Sequence, residues 1–136
     1  MKGQAWYVAV LIGVMCLIRF SLSAVGYADP SWLMEQFGIP TASNLQMPYI
    51  IRVWAIRDVV LAIFVAFADK NIIKALLSAC IVIDATDIWS AHLSGVAGLF
   101  NSADTWALKS TAIAALGLEV AALALIIRSE SKAERV

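Results

Sequence analysis

Residues 81–95 read IVIDATDIWSAHLSG. Two carboxylates, Asp84 and Asp87, and the chain's one histidine, His92, stand inside an otherwise apolar run. In a soluble protein this would be a core helix with three misplaced polar residues. In a bilayer it would be a span in which each charge needs a partner, water or neutralisation. Which solvent surrounds this stretch therefore decides the fold.

Composition answers for the membrane. Of 136 residues, 62% are hydrophobic and 15% charged, with a mean hydropathy of +0.84. Soluble domains are about 45–50% apolar and about 25% charged. The quoted stretch then belongs to one of four apolar segments long enough for the roughly 20 residues a span requires. These segments are 5–25, 49–68, 72–98 and 105–127. The first has some look of a signal peptide, with Lys2 ahead of it and GYA before Asp29. It is, however, interrupted by Arg19 and exceeds the usual apolar length of roughly 7–15 residues, so it is expected to be a retained span.

The connections differ in kind. Residues 26–48 are the longest, and SWLMEQFGI within them sets Trp32, Leu33 and Phe37 beside Glu35 and Gln36. Asp29-Pro30-Ser31 is a helix start and Gly38 a stop, so a short amphipathic helix lying at the interface is expected. The expected fold is an all-α membrane protein, a single domain over 1–136. It is a four-transmembrane-helix bundle with that interfacial helix between spans one and two. Lys2, Lys70, Lys74, Arg128, Lys132 and Arg135 fall on one side, while loops 26–48 and 99–104 hold no Lys or Arg. The excess places both termini in the cytoplasm, in a membrane such as the bacterial inner membrane.

Counting depth from these ends gathers the charges. Arg19, Arg52, Arg57, Asp58, Asp84, Asp87 and Lys109 fall in the outer half, and Glu119 alone in the inner half. Four positive and three negative charges at shared depth are expected to form an intramembrane ion-pair network. In it Arg57 pairs with Asp84 or Asp87, while Arg52 and Lys109 reach toward headgroups. Trp54 and Trp89 are expected to line a pocket beside it. His92 lies shallower. Alone it is a poor metal ligand, so no metal is expected, and haem or chlorophyll is the cofactor it could ligate axially. Cys16 and Cys80 sit in apolar runs with no metal-ligand spacing and are expected to be buried free thiols. Ala91–Gly95 and Ser94–Gly98 are small-residue pairs that let neighbouring backbones approach. Zero net charge and the lack of a basic tract argue against nucleic acid.

The order of features resembles a known group. A span is followed by an amphipathic segment ending FGIP (37–40), then by a span with an arginine near its start and RD at 57–58. A third span with a central aspartate and an alanine-rich fourth follow. This is similar to the small four-helix integral membrane proteins catalogued as domain of unknown function 4267, relatives of the 4345 group and the DoxX-like proteins. The resemblance implies a four-helix membrane bundle and importance for Arg57, Asp58 and Asp84; it brings no activity with it. Ile56 stands where that family usually has a small residue before RD.

No nucleophile–base pair, phosphate-binding loop, dinucleotide fingerprint or zinc-protease motif is present. The leading expectation is an accessory, structural or lipid-ligand-binding subunit of a larger membrane assembly or homo-oligomer. The second is a membrane-embedded isomerase or hydrolase on a lipophilic small molecule, with Asp84 or Asp87 as acid or base and His92 as relay. The third is a proton-coupled carrier, for which four short spans without inverted repeats are thin material.

Overall fold

The computed structural model describes residues 6–42, 44–69 and 72–133, and every regular element there is helical. In chain order these are α1 (Trp6–Ala28), α2 (Pro30–Gln36), α3 (Met47–Phe67), α4 (Ile72–Val96) and α5 (Ser102–Ala133). Two helices, Trp6–Ala28 and Ser102–Ser131, are long and apolar enough to cross a membrane by length and composition. The other two long helices do not meet that test. α3 carries Arg52, Arg57 and Asp58, and α4 carries Lys74, Asp84 and Asp87. Of the cationic flank used to orient the chain, Lys2, Lys70 and Arg135 lie outside the described residues.

Local chemistry sets the short helix. The Asp29 carboxylate accepts from the Trp32 amide at 3.0 Å, and Pro30 occupies the first helical turn where no N–H is required. Gly38, at a φ of +65°, lets the Gly38 and Ile39 amides fold back onto the Glu35 and Met34 carbonyls, which closes α2. Leu33 and Met34 on its buried face pack on Ile51 of α3. α5 runs past the apolar segment through Arg128 because no Gly or Pro interrupts RSESKA. Lys74 Nζ also donates to Glu130 at 2.8 Å, holding its far end against α4.

The long helices pack as two antiparallel pairs laid side by side, α1 with α3 and α4 with α5. The buried positions repeat at alternating steps of about three and four, the spacing of one helix face. They are Val8, Ile12, Met15, Arg19 and Ser23 on α1, and Ile51, Ala55, Asp58, Ala62 and Val65 on α3. On α4 they are Ile73, Leu77, Cys80 and Asp84, and on α5 Glu119, Ala122 and Ile126. Each stripe carries one charged residue among mainly apolar positions, with Ser23 a further polar one on α1. The opposite faces are also apolar: Leu17, Phe64, Phe67 and Val82 are all well exposed.

A buried arginine–carboxylate hub beneath an apolar cavity

The single charge on each stripe meets the other three. Arg19 of α1 donates from Nη1 to Asp58 Oδ1 of α3 at 3.1 Å. Its Nη2 reaches both Asp84 oxygens of α4, at 2.9 and 2.8 Å, and Glu119 Oε1 of α5 at 2.7 Å. The Arg19 side chain is 6% exposed and that of Glu119 is fully buried. One guanidinium thus ties all four long helices together at a single level.

Of the two partners expected for Arg57, it meets Asp87, while Asp84 belongs to Arg19 instead. Arg57 lies at the edge of the hub, 42% exposed. Its Nε is 3.4 Å from Asp58 Oδ1 and its Nη2 is 3.6 Å from Asp87 Oδ2. Glu119, assigned to a different depth by counting, stands with Arg19 and Asp84. The signal that could have placed it is the register of the α4–α5 hairpin. His92 meets Lys109 near the turn and Lys74 meets Glu130 at the far end, so Asp84 falls opposite the turn of α5 that bears Glu119.

The remaining candidates lie away from the hub. Arg52 Nε donates to the Tyr27 carbonyl at 3.2 Å rather than reaching outward. Lys109 Nζ is 3.1 Å from His92 Nδ1, and the Trp89 ring leans on the His92 ring at a centroid distance of 5.6 Å. Trp89 is 61% exposed and is not among the side chains lining the cavities beside the hub, whereas Trp54 lines both. Gly95 approaches Thr105 so closely that a Cβ there would stand 2.7 Å from both γ atoms, while Gly98 forms the turn that ends α4. Cys16 and Cys80 are buried free thiols. Among the described residues no group of three or more His, Cys, Asp or Glu side chains is arranged to hold a metal ion.

Two cavities open from the hub toward α2. The smaller, about 180 Å³, is walled by Arg19, Ser23, Asp58, Asp84 and Asp87 together with Trp54. The larger, about 360 Å³, is mostly apolar and is lined by Leu33 of α2, Phe37 and Ile39 just after it, Ile51 of α3, Ala91 of α4 and Ala112 of α5. Leu22, Trp54, Asp87 and Thr111 border both, so the apolar space and the charged one adjoin across these four side chains. It adjoins the α3–α4 seam, where packing between neighbouring long helices is thinnest. Asp84 has both oxygens on Arg19; Asp87 keeps Oδ1 free of any hydrogen bond from described residues.

No protein-family model, curated protein or solved structure matches this chain.

Proposed function

We propose that the chain is a four-span membrane bundle that binds a lipophilic small molecule in the space between α2 and the hub. The observation that carries this reading is an apolar cavity adjoining a smaller, charge-lined one across four shared side chains. Ligand sites are commonly concave, mostly apolar and about 300–1,000 Å³, with a few convergent polar groups that fix orientation. Here the apolar wall comes from Leu33, Phe37, Ile51 and Trp54, and the polar end from Asp87, Asp58 and Ser23.

The four-span arrangement is supported by where the disqualifying charges of α3 and α4 go. Asp58 and Asp84 turn inward onto Arg19, Arg57 lies against Asp58, and Lys74 is matched by Glu130. The faces left outward are mainly apolar, with Arg52 bonded to the Tyr27 carbonyl and the Arg57–Asp87 pair half-exposed. With the termini cytoplasmic, α2 lies at the outer surface and the cavity opens in the outer leaflet.

The test is retention. Protein purified in a mild neutral detergent should carry a stoichiometric apolar molecule detectable by native mass spectrometry. Ala112→Phe, which fills the cavity wall, should lose it while remaining folded. A wild-type protein with no bound molecule, and no saturable binding of added lipophiles, would overturn the reading.

One observation favours a second reading, an enzyme acting on that molecule. Asp87 borders both cavities with a free oxygen, which suits a general acid or base, whereas Asp84 is locked on Arg19. An isomerase or hydrolase of this kind would lose turnover in Asp87→Asn while keeping the ligand.

A further inference from the structure

The polar floor of the cavity holds more acidic than basic side chains. Of the charged side chains lining the smaller cavity, Asp58, Asp84 and Asp87 are three carboxylates and Arg19 is one guanidinium, so acids exceed bases by two. Lys109 and Arg52 do not compensate. The first is held at His92 and the second at the Tyr27 carbonyl, and neither lines the two cavities.

The open valences on this floor are those of acceptors. Asp58 uses only Oδ1, shared between Arg19 and Arg57, and its Oδ2 accepts no hydrogen bond from described residues. Asp87 Oδ1 is likewise free of any hydrogen bond from described residues. Ser23 Oγ, buried without a partner, can serve as either donor or acceptor. In a low-dielectric cavity a surplus of unpaired carboxylate oxygens favours a cationic donor and repels an anion.

Resting on the cavity reading above, we propose that the ligand is a lipophilic amine. Its protonated nitrogen sits between Asp87 and Asp58, and its hydrocarbon lies along Trp54, Leu22 and Ile51 toward Phe37. The site is then selective for charge at one end and permissive of shape at the other. A fatty acid of equal length would meet the same apolar wall and be turned away by the carboxylates. An alcohol would gain the hydrogen bond without the charge.

The experiment uses the full-length chain in nanodiscs of zwitterionic phosphatidylcholine, with dodecylamine, dodecanol and dodecanoate as probes. Binding is read from intrinsic tryptophan fluorescence, Trp54 being the tryptophan on the cavity wall. The expected order is amine, then alcohol, then carboxylate, with amine over alcohol by about tenfold, the worth of one charge-assisted hydrogen bond. Asp87→Asn, at a half-exposed position whose one ion pair is 3.6 Å long, should fold normally and lose most of that preference. Saturable binding of the alcohol or the carboxylate as tight as the amine would overturn the amine assignment while leaving the cavity reading intact. So would an unchanged amine preference in Asp87→Asn. No saturable binding of any probe would overturn both.

Discussion

Arg19→Met separates a buried hub from a surface ion pair. The substitution preserves an unbranched apolar stem and deletes the guanidinium on which Asp58, Asp84 and Glu119 converge. Removing one partner of a buried pair costs about 3–5 kcal/mol, because the charge left behind has neither water nor a counter-ion. Here one cation is lost from three carboxylates, each with a side chain no more than 8% exposed. The loss should therefore sit at the upper end, about 5 kcal/mol, which is comparable with the whole stability of many domains. Arg57→Met is the control. Its side chain is 42% exposed and its contacts are 3.4 and 3.6 Å long, so a loss of about 1 kcal/mol or less is expected. Neutralising the three acids together with Arg19 (Asp58→Asn, Asp84→Asn, Glu119→Gln) should recover much of the deficit, since no uncompensated charge remains. The assay is the fraction of monodisperse protein surviving a temperature ramp in neutral detergent, followed by size-exclusion chromatography. An Arg19→Met protein as heat-resistant as wild type, or an Arg57→Met protein less stable than Arg19→Met, would refute the reasoning.

Two further expectations concern packing and topology. Gly95→Ala should destabilise by roughly 1 kcal/mol, because the new Cβ lies 2.7 Å from two atoms of the stiff Thr105 side chain; overpacking outweighs the gain in helix propensity. Gly117→Ala, with open space at the same position of its residue, should instead stabilise by about 0.5–1 kcal/mol, and the same heating assay reads both signs. In intact cells a membrane-impermeant maleimide should label Leu45→Cys, in the loop after α2, and spare Ser131→Cys near the end of α5. The native Cys16 and Cys80 are buried and should react only after denaturation. Labelling at both engineered positions, or only at Ser131→Cys, would contradict the four-span arrangement with cytoplasmic termini.

The helices were legible in the sequence because their signals are local. Apolar length marks α1, α3, α4 and α5 to within a few residues at most ends, and Asp29, Pro30 and Gly38 mark α2 through capping and turn chemistry. The extension of α5 to Ala133 was not marked, since the polar RSESKA lacks apolarity but also lacks any breaker. Apart from Arg57 with Asp87, the partners of the charges are not legible in the sequence, because they depend on rotation and register rather than on depth. Arg57 and Asp58 are neighbours in sequence, yet only Asp58 lies on the stripe with Ala55 and Ala62; Arg57 is turned about 100° away. Arg19 escaped notice as the centre for the same reason. Its place becomes evident only when the stripe Val8, Ile12, Met15, Arg19, Ser23 is taken as one face. Glu119 was misplaced because depth counting treats each helix separately, whereas the Lys109–His92 and Lys74–Glu130 contacts set α4 and α5 jointly.

The composition of the hub also bears on how assembly and binding share the same charges. Each long helix contributes one member, so no pair of helices completes it. Between α1 and α3 the interaction is one contact of 3.1 Å, and only with α4 and α5 does Arg19 acquire its remaining partners. Such a hub penalises a slipped register on any helix, since a one-residue rotation removes the charge from the interior face and leaves its partner unpaired. If registry were its sole role, one carboxylate opposite one arginine would suffice, and a neutral floor would be the less costly design. The surplus carboxylates line the smaller cavity, and there Asp58 and Asp87 each keep one oxygen free of hydrogen bonds from described residues. Arg19 with Asp58, Asp84 and Glu119 therefore accounts for the architecture, while Asp87, outside those contacts, faces the space that a ligand would fill. Variants of Asp87 should accordingly alter binding with little effect on stability, and variants of Glu119 should do the reverse.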